Sequence, residues 1–179
     1  MSENKRIYRR KDLDQTAVRV DSNPIKWEYD CGGRSESKFK GITGDCVVRA
    51  VAIATGLEYE NVYEDMFRLT KEYRDSNKND RLAKGLRKRS ELKLGISPRH
   101  GVYREIYDPY LIGIGWKWIP KMFVGQGCKV HLKKEELPDA MIIARLSRHV
   151  CAVDRGVIRD IYDCSREGTR CVYGYYIKD

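Results

Sequence analysis

The chain has little of what several large function classes require. No run approaches the roughly 18 consecutive apolar residues of a membrane-spanning helix. The basic start MSENKRIYRRKDLDQ is followed by no apolar segment, so no signal peptide is expected. The six cysteines, Cys31, Cys46, Cys128, Cys151, Cys164 and Cys171, include no C-x-x-C pair. Zinc-finger spacing and the aromatic-basic run of an RNA-recognition strand are both absent, which removes those two modes of nucleic-acid reading. There is no internal repeat and no low-complexity tract. Nothing supports a bound cofactor, and none is expected. The one C-x-x-H spacing, Cys128 with His131, has only the scattered Cys151 and Cys164 as partners, so no metal is assigned.

What is present is a core. The 179 residues are 41% hydrophobic and 10% aromatic, enough for one folded domain over residues 1–179. With few cysteines and no leader, a reducing cytoplasmic setting is expected, with the thiols as small buried packing groups. The net charge of +9 is uneven, because residues 71–104 alone carry +7. This block holds Arg87-Lys88-Arg89 and few large apolar side chains. It reads as a basic, solvated excursion between two better-packed halves, suited to nucleic acid or an acidic partner.

Residues 1–30 read as an extended N-terminal arm anchored by Trp27 and Tyr29. Residues 41–56, GITGDCVVRAVAIATG, read as a helix apolar nearly all round and therefore buried. Thr43 or Asp45 is its cap and Gly56 its end. Val62, Tyr63, Met66, Phe67, Thr70 and Tyr73, spaced by three and four, make 59–74 an amphipathic helix. A third helix over 102–112 breaks near Pro109. The pattern then shifts to strands at 116–120, 140–146, 149–153, 157–162 and 171–177, with a hairpin turn at Asp154-Arg155-Gly156. Helices first and strands afterwards give an α+β fold, with the helical half packed on a C-terminal antiparallel sheet.

One constellation carries chemistry. Cys46 stands at the first turn of the buried helix, where the free N–H groups and the dipole favour thiolate over thiol. Those N–H groups also suit an oxyanion hole. A thiolate nucleophile needs a base, and His149 opens the apolar strand HVCAV, a rigid place for an imidazole. Two acids follow across the hairpin. Asp163 closes the next strand where its side chain turns toward the histidine, and it is favoured as the orienting carboxylate. Asp160, three positions earlier, falls on the opposite face by strand alternation and is the alternative.

In this order GDCVVRAVAIATG and RHVCAVDRGVIRDIYDCS resemble the nucleophile helix, His strand and acid-bearing strand end of papain-like cysteine peptidases, the bacteriocin-processing group among them. The resemblance implies a papain-like fold and peptide, isopeptide or other amide hydrolysis. It implies Cys46 as nucleophile, His149 as general base and then acid, and Asp163 as orienter. The family's oxyanion-donating Gln, six residues before the nucleophile, is replaced by Lys40, which leaves Gln126, Lys40 itself or the backbone for that role. GWKWIP, GQGCKVHL and CVYGYYI are similar to segments of bacteriophage and bacterial proteins, a likeness that implies no activity. The competing expectation is a non-enzymatic factor that engages nucleic acid or an acidic partner through residues 71–104. Trp116, Trp118, Tyr173, Tyr175 and Tyr176 are read as core aromatics before cleft walls.

Overall fold

A computed structural model describes residues 25–76 and 79–178. Among the described residues, six strands form one sheet in the order β1-β5-β4-β3-β6-β2. They are β1 (Lys26–Tyr29), β2 (Lys117–Pro120), β3 (Met141–Leu146), β4 (His149–Asp154), β5 (Val157–Asp160) and β6 (Val172–Ile177). The helices are α1 (Cys46–Thr55), α2 (Tyr59–Ser76), α3 (Arg81–Glu91) and α4 (Arg104–Gly113). The class is α+β.

The sheet is mixed rather than antiparallel. β1 lies parallel to β5, with Lys26 opposite Val157 and Tyr29 opposite Asp160. Of the N-terminal arm, residues 1–24 lie outside the described residues. What remains is this edge strand, tied down by the Trp27 indole, which donates to the Asp160 carbonyl at 3.0 Å.

One apolar cluster lies between the helices and one face of the sheet. It joins Val48, Val51, Val62 and Met66 to Ile143, Val150, Ala152 and Tyr176. A second covers the other face with loop residues Leu132 and Cys164 over Ile142, Val153 and Ile158. α1 is buried nearly all round, as its apolar sequence requires, and Gly56 ends it in the left-handed conformation, φ 72°. α4 runs through Pro109 without a break. Burial of Ile106, Tyr107 and Leu111 holds the helix together although proline supplies no N–H.

The basic excursion is not a loop. Residues 81–91 form α3, which buries Ala83 and Leu86 and is capped by Asp80 accepting from the Ala83 N–H at 2.9 Å. The sparse apolar residues are enough because they fall on one face, three apart. The cysteines also depart from expectation. Cys128 and Cys171 form a disulfide, which ties the 121–131 loop to the start of β6, and four thiols remain free.

Candidate active site

α1 delivers Cys46 to a cleft of about 680 Å³. The chain can enter the helix there because Gly44 has no side chain: a Cβ at that position would lie 2.4 Å from the Arg99 carbonyl oxygen. Asp45 occupies the cap position but makes no capping hydrogen bond. Its carboxylate turns inward instead. It accepts from Arg34 Nε at 2.7 Å, from the Arg49 guanidinium and from the Tyr59 hydroxyl. No side chain of Asp45 therefore covers the first N–H groups of α1, where Cys46 and Val47 face the cleft.

The imidazole across the cleft is that of His149, which is 8% exposed. The Cys46 thiol lines the same cleft and acts electrostatically on the ring. Nε2 of His149 is bonded to Asp160 Oδ2 at 2.5 Å. Asp160 is itself buried and doubly held. Its Oδ1 accepts from the Ile161 N–H at 2.8 Å and lies 3.5 Å from the Arg49 guanidinium. Its carbonyl accepts from the Asp30 N–H and the Trp27 indole. Burial works against a charged imidazole here. The Asp160 carboxylate and the thiols of Cys164 and Cys46 outweigh it, and His149 is pushed up to about 12.

Asp160, not Asp163, is thus the carboxylate beside His149. Asp163 caps a turn, accepting from the Ser165 N–H at 2.8 Å. The reason is register. Asp154 pairs with Val157 across a two-residue loop, Arg155-Gly156, both at positive φ. Counting back through the ladder sets Asp160 opposite Cys151, which shares a face with His149, so the imidazole is a diagonal neighbour of Asp160. The strand ends at Asp160, and alternation does not carry on to Asp163. The two-residue turn was the signal in the sequence that selected this face.

Arg49 is the residue that the sequence reading passed over. It sits in the middle of the apolar helix, 2% exposed, and links Asp45 to Asp160. Together Arg34, Asp45, Arg49, Asp160 and His149 make a chain of alternating charge through the protein. A lone arginine one turn beyond Cys46 in an otherwise apolar helix was its trace, since a buried guanidinium must be paired.

Behind the imidazole lie two more thiols. The interaction between the Cys151 and Cys164 thiols holds Cys164 below the ordinary thiol range and, with burial, pushes Cys151 well above it. His149, Asp160 and Cys164 offer one nitrogen, one oxygen and one sulfur ligand atom within 4.8 Å of one another, a mixed donor set of the kind a zinc ion accepts. The set pictured from sequence is not assembled. Cys128 is spent in its disulfide, and His131 pairs with Glu136, Nδ1 to Oε2 at 3.2 Å.

Neither residue considered as the oxyanion donor is aimed at the cleft. Lys40 Nζ donates to the Ser35 carbonyl at 2.8 Å, and Gln126 accepts from Lys129 Nζ at 2.6 Å. Tyr107 does line the cleft, within electrostatic reach of Cys46, and burial pushes its phenol up to about 12. Tyr173 is a cleft wall, whereas Trp116 and Tyr176 belong to the core, as the first reading of those aromatics had it. No protein-family model, curated protein or solved structure matches this chain.

Proposed function

We propose that the protein is a thiol hydrolase of papain-like architecture that cleaves a peptide, isopeptide or other amide bond. The observation that carries this reading is the convergence of Cys46, from a helix start, and the His149–Asp160 pair, from a hairpin, on one cleft. In the proposed cycle the Cys46 proton rests on His149, and the sulfur attacks the carbonyl carbon. The helix N–H groups and the Tyr107 hydroxyl steady the oxygen that gains charge. The C–N bond breaks, and the leaving amine takes the proton from His149. Water then attacks the thioester and gives a proton to His149, the C–S bond breaks, and the sulfur recovers its place. Asp160 keeps the imidazole oriented and supports its charge, as the acid of a triad does.

The test is alkylation of the native protein by iodoacetamide, with each thiol followed by mass spectrometry. Cys46 should react well ahead of Cys31, the other half-buried free thiol, and His149→Ala should remove that lead. Equal rates at the two cysteines would sink the reading.

A second reading, a factor that binds nucleic acid or an acidic protein, is favoured by one observation. The exposed Arg81, Lys84 and Lys88 fall at spacings of three and four on α3, so the charge forms a stripe. Polynucleotide affinity that falls steeply with salt, and falls further in Lys84→Gln/Lys88→Gln, is its signature. As to place of action, no helix among the described residues is long and apolar enough to cross a membrane. The Cys128–Cys171 disulfide weighs against the reducing cytoplasm expected from the low cysteine content.

A further inference from the structure

The charged side chains that line the cleft in front of Cys46 and His149 are of one sign. Arg104, Arg145 and Arg148 line the cleft, and no Asp or Glu does among the described residues. Arginines that hold a fold together normally have carboxylates, as Arg49 and Arg34 do here. Among the described residues, Arg145 and Arg148 do not. Arg145 lies on the inner strand β3, with its guanidinium 5.8 Å from the Tyr173 ring centroid, and among the described residues it has no carboxylate partner. Arg148 stands exposed at the β3–β4 turn, one residue before His149, and it too has none. Arg104 stacks 4.6 Å over the Trp118 ring, its nearest carboxylate is 3.8 Å away, and its buried Nε has no hydrogen-bond partner. Arg104 and Arg145 both reach Tyr107 electrostatically, which puts them near the same phenol as Cys46.

Two guanidiniums beside a nucleophile with no carboxylate partner among the described residues, and a third paired only at 3.8 Å with Asp108, leave the cleft with positive charge that an anionic ligand would balance. Their planar forks match carboxylates in geometry and charge. We infer that the cleft takes acidic polypeptide: the group acylated on Cys46 comes from a chain with Asp or Glu side chains, or a free α-carboxylate, next to the scissile amide. Phosphate would satisfy the guanidiniums as well. However, a Cys-His-Asp site attacks carbonyl carbon, and the backbone of a nucleic acid has none. This inference rests on the hydrolase reading for the reaction and on the arginines alone for the class of ligand.

The experiment separates the two. Fluorescein-labelled peptides of matched length, one rich in Glu and Asp and one with Gln and Asn in their place, are titrated with Cys46→Ala protein and followed by anisotropy at several salt concentrations. The acidic peptide should bind about tenfold or more tightly than the neutral one. Arg145→Gln should abolish most of that preference, and Arg145→Lys should keep part of it. Arg148→Asn, at an exposed turn residue with φ 55° where Asn is at ease, guards against a misfolded Arg145 variant and should also weaken the preference. Lys84→Gln/Lys88→Gln on α3 should leave it unchanged. Equal binding of the two peptides overturns the inference. So does a preference that survives both arginine changes, or one that disappears with the α3 changes. A single-stranded oligonucleotide that binds more tightly than the acidic peptide, through the same arginines, overturns it in favour of nucleic acid. Iodoacetamide labelling of the wild-type protein reads the hydrolase separately. An unreactive Cys46 beside an intact acidic preference removes the reaction and leaves the ligand class standing.

Discussion

The His149 ring and the Asp160 carboxylate meet at 2.5 Å, Nε2 to Oδ2, in a place almost closed to water. The pair joins two strands of one hairpin, so its geometry follows from backbone pairing rather than from a loop. It also commits one ring nitrogen to the acid and leaves Nδ1 as the other.

Removing the carboxylate should therefore disable the imidazole. Asp160→Asn is expected to lower the rate of Cys46 alkylation and of any amide cleavage by roughly 10² or more, as loss of the acid does in a triad. Asp163→Asn should stay within about twofold, because Asp163 serves a turn. Comparable losses in the two variants would return the orienting role to the sequence's first choice.

Arg49→Met tests the buried charge chain. The substitution leaves Asp45 and Asp160 facing each other across the vacated site without their shared cation. Breaking a buried ion pair from one side typically costs about 3–5 kcal/mol, and urea unfolding should report a loss of that size. A loss below about 1 kcal/mol would mean that water or Arg34 and His149 compensate fully.

The pH dependence of the His149–Asp160 contact has a definite sign. The folded value of about 12 is above the unfolded one near 6.5, so the folded state holds the proton more tightly. The stabilisation is complete below about 6.5, declines as pH rises above it, and is gone once pH passes about 12. Imidazole NMR signals of His149 should show no titration between about pH 5 and 9. The stability advantage over His149→Gln should shrink from pH 7 to pH 10. A midpoint near the ordinary histidine value would refute the tight contact.

The Cys128–Cys171 disulfide closes a sequence separation of 43 residues. Thiol titration of unfolded, unreduced protein should count four free thiols, and reduction should raise the count to six. Cys171→Ser is expected to lower stability by about 2–4 kcal/mol through greater freedom of the unfolded chain. Six thiols without reductant would show that the bond does not form where the protein was made.

Local pattern determined a good deal of this molecule. The α1 sequence could only be a buried helix, with Cys46 at its start and Gly56 at its end, because apolar side chains on every face exclude solvent on every face. The strands from β3 to β6 are visible as β-branched and aromatic runs, and His149 stands out as a polar residue opening one of them. Pairing across the chain decided the rest. The choice between Asp160 and Asp163 turned on a two-residue hairpin register, and a shift of one residue would have turned Asp160 to the other face. The parallel pairing of β1 with β5, the partnership of Arg49 with two distant carboxylates, and the joining of Cys128 to Cys171 all unite residues far apart in the chain. Periodicity reports only which face of its own element a residue occupies. Which other element lies against that face is fixed by packing, and so the counter-ions and the charge of the cleft become legible only in three dimensions.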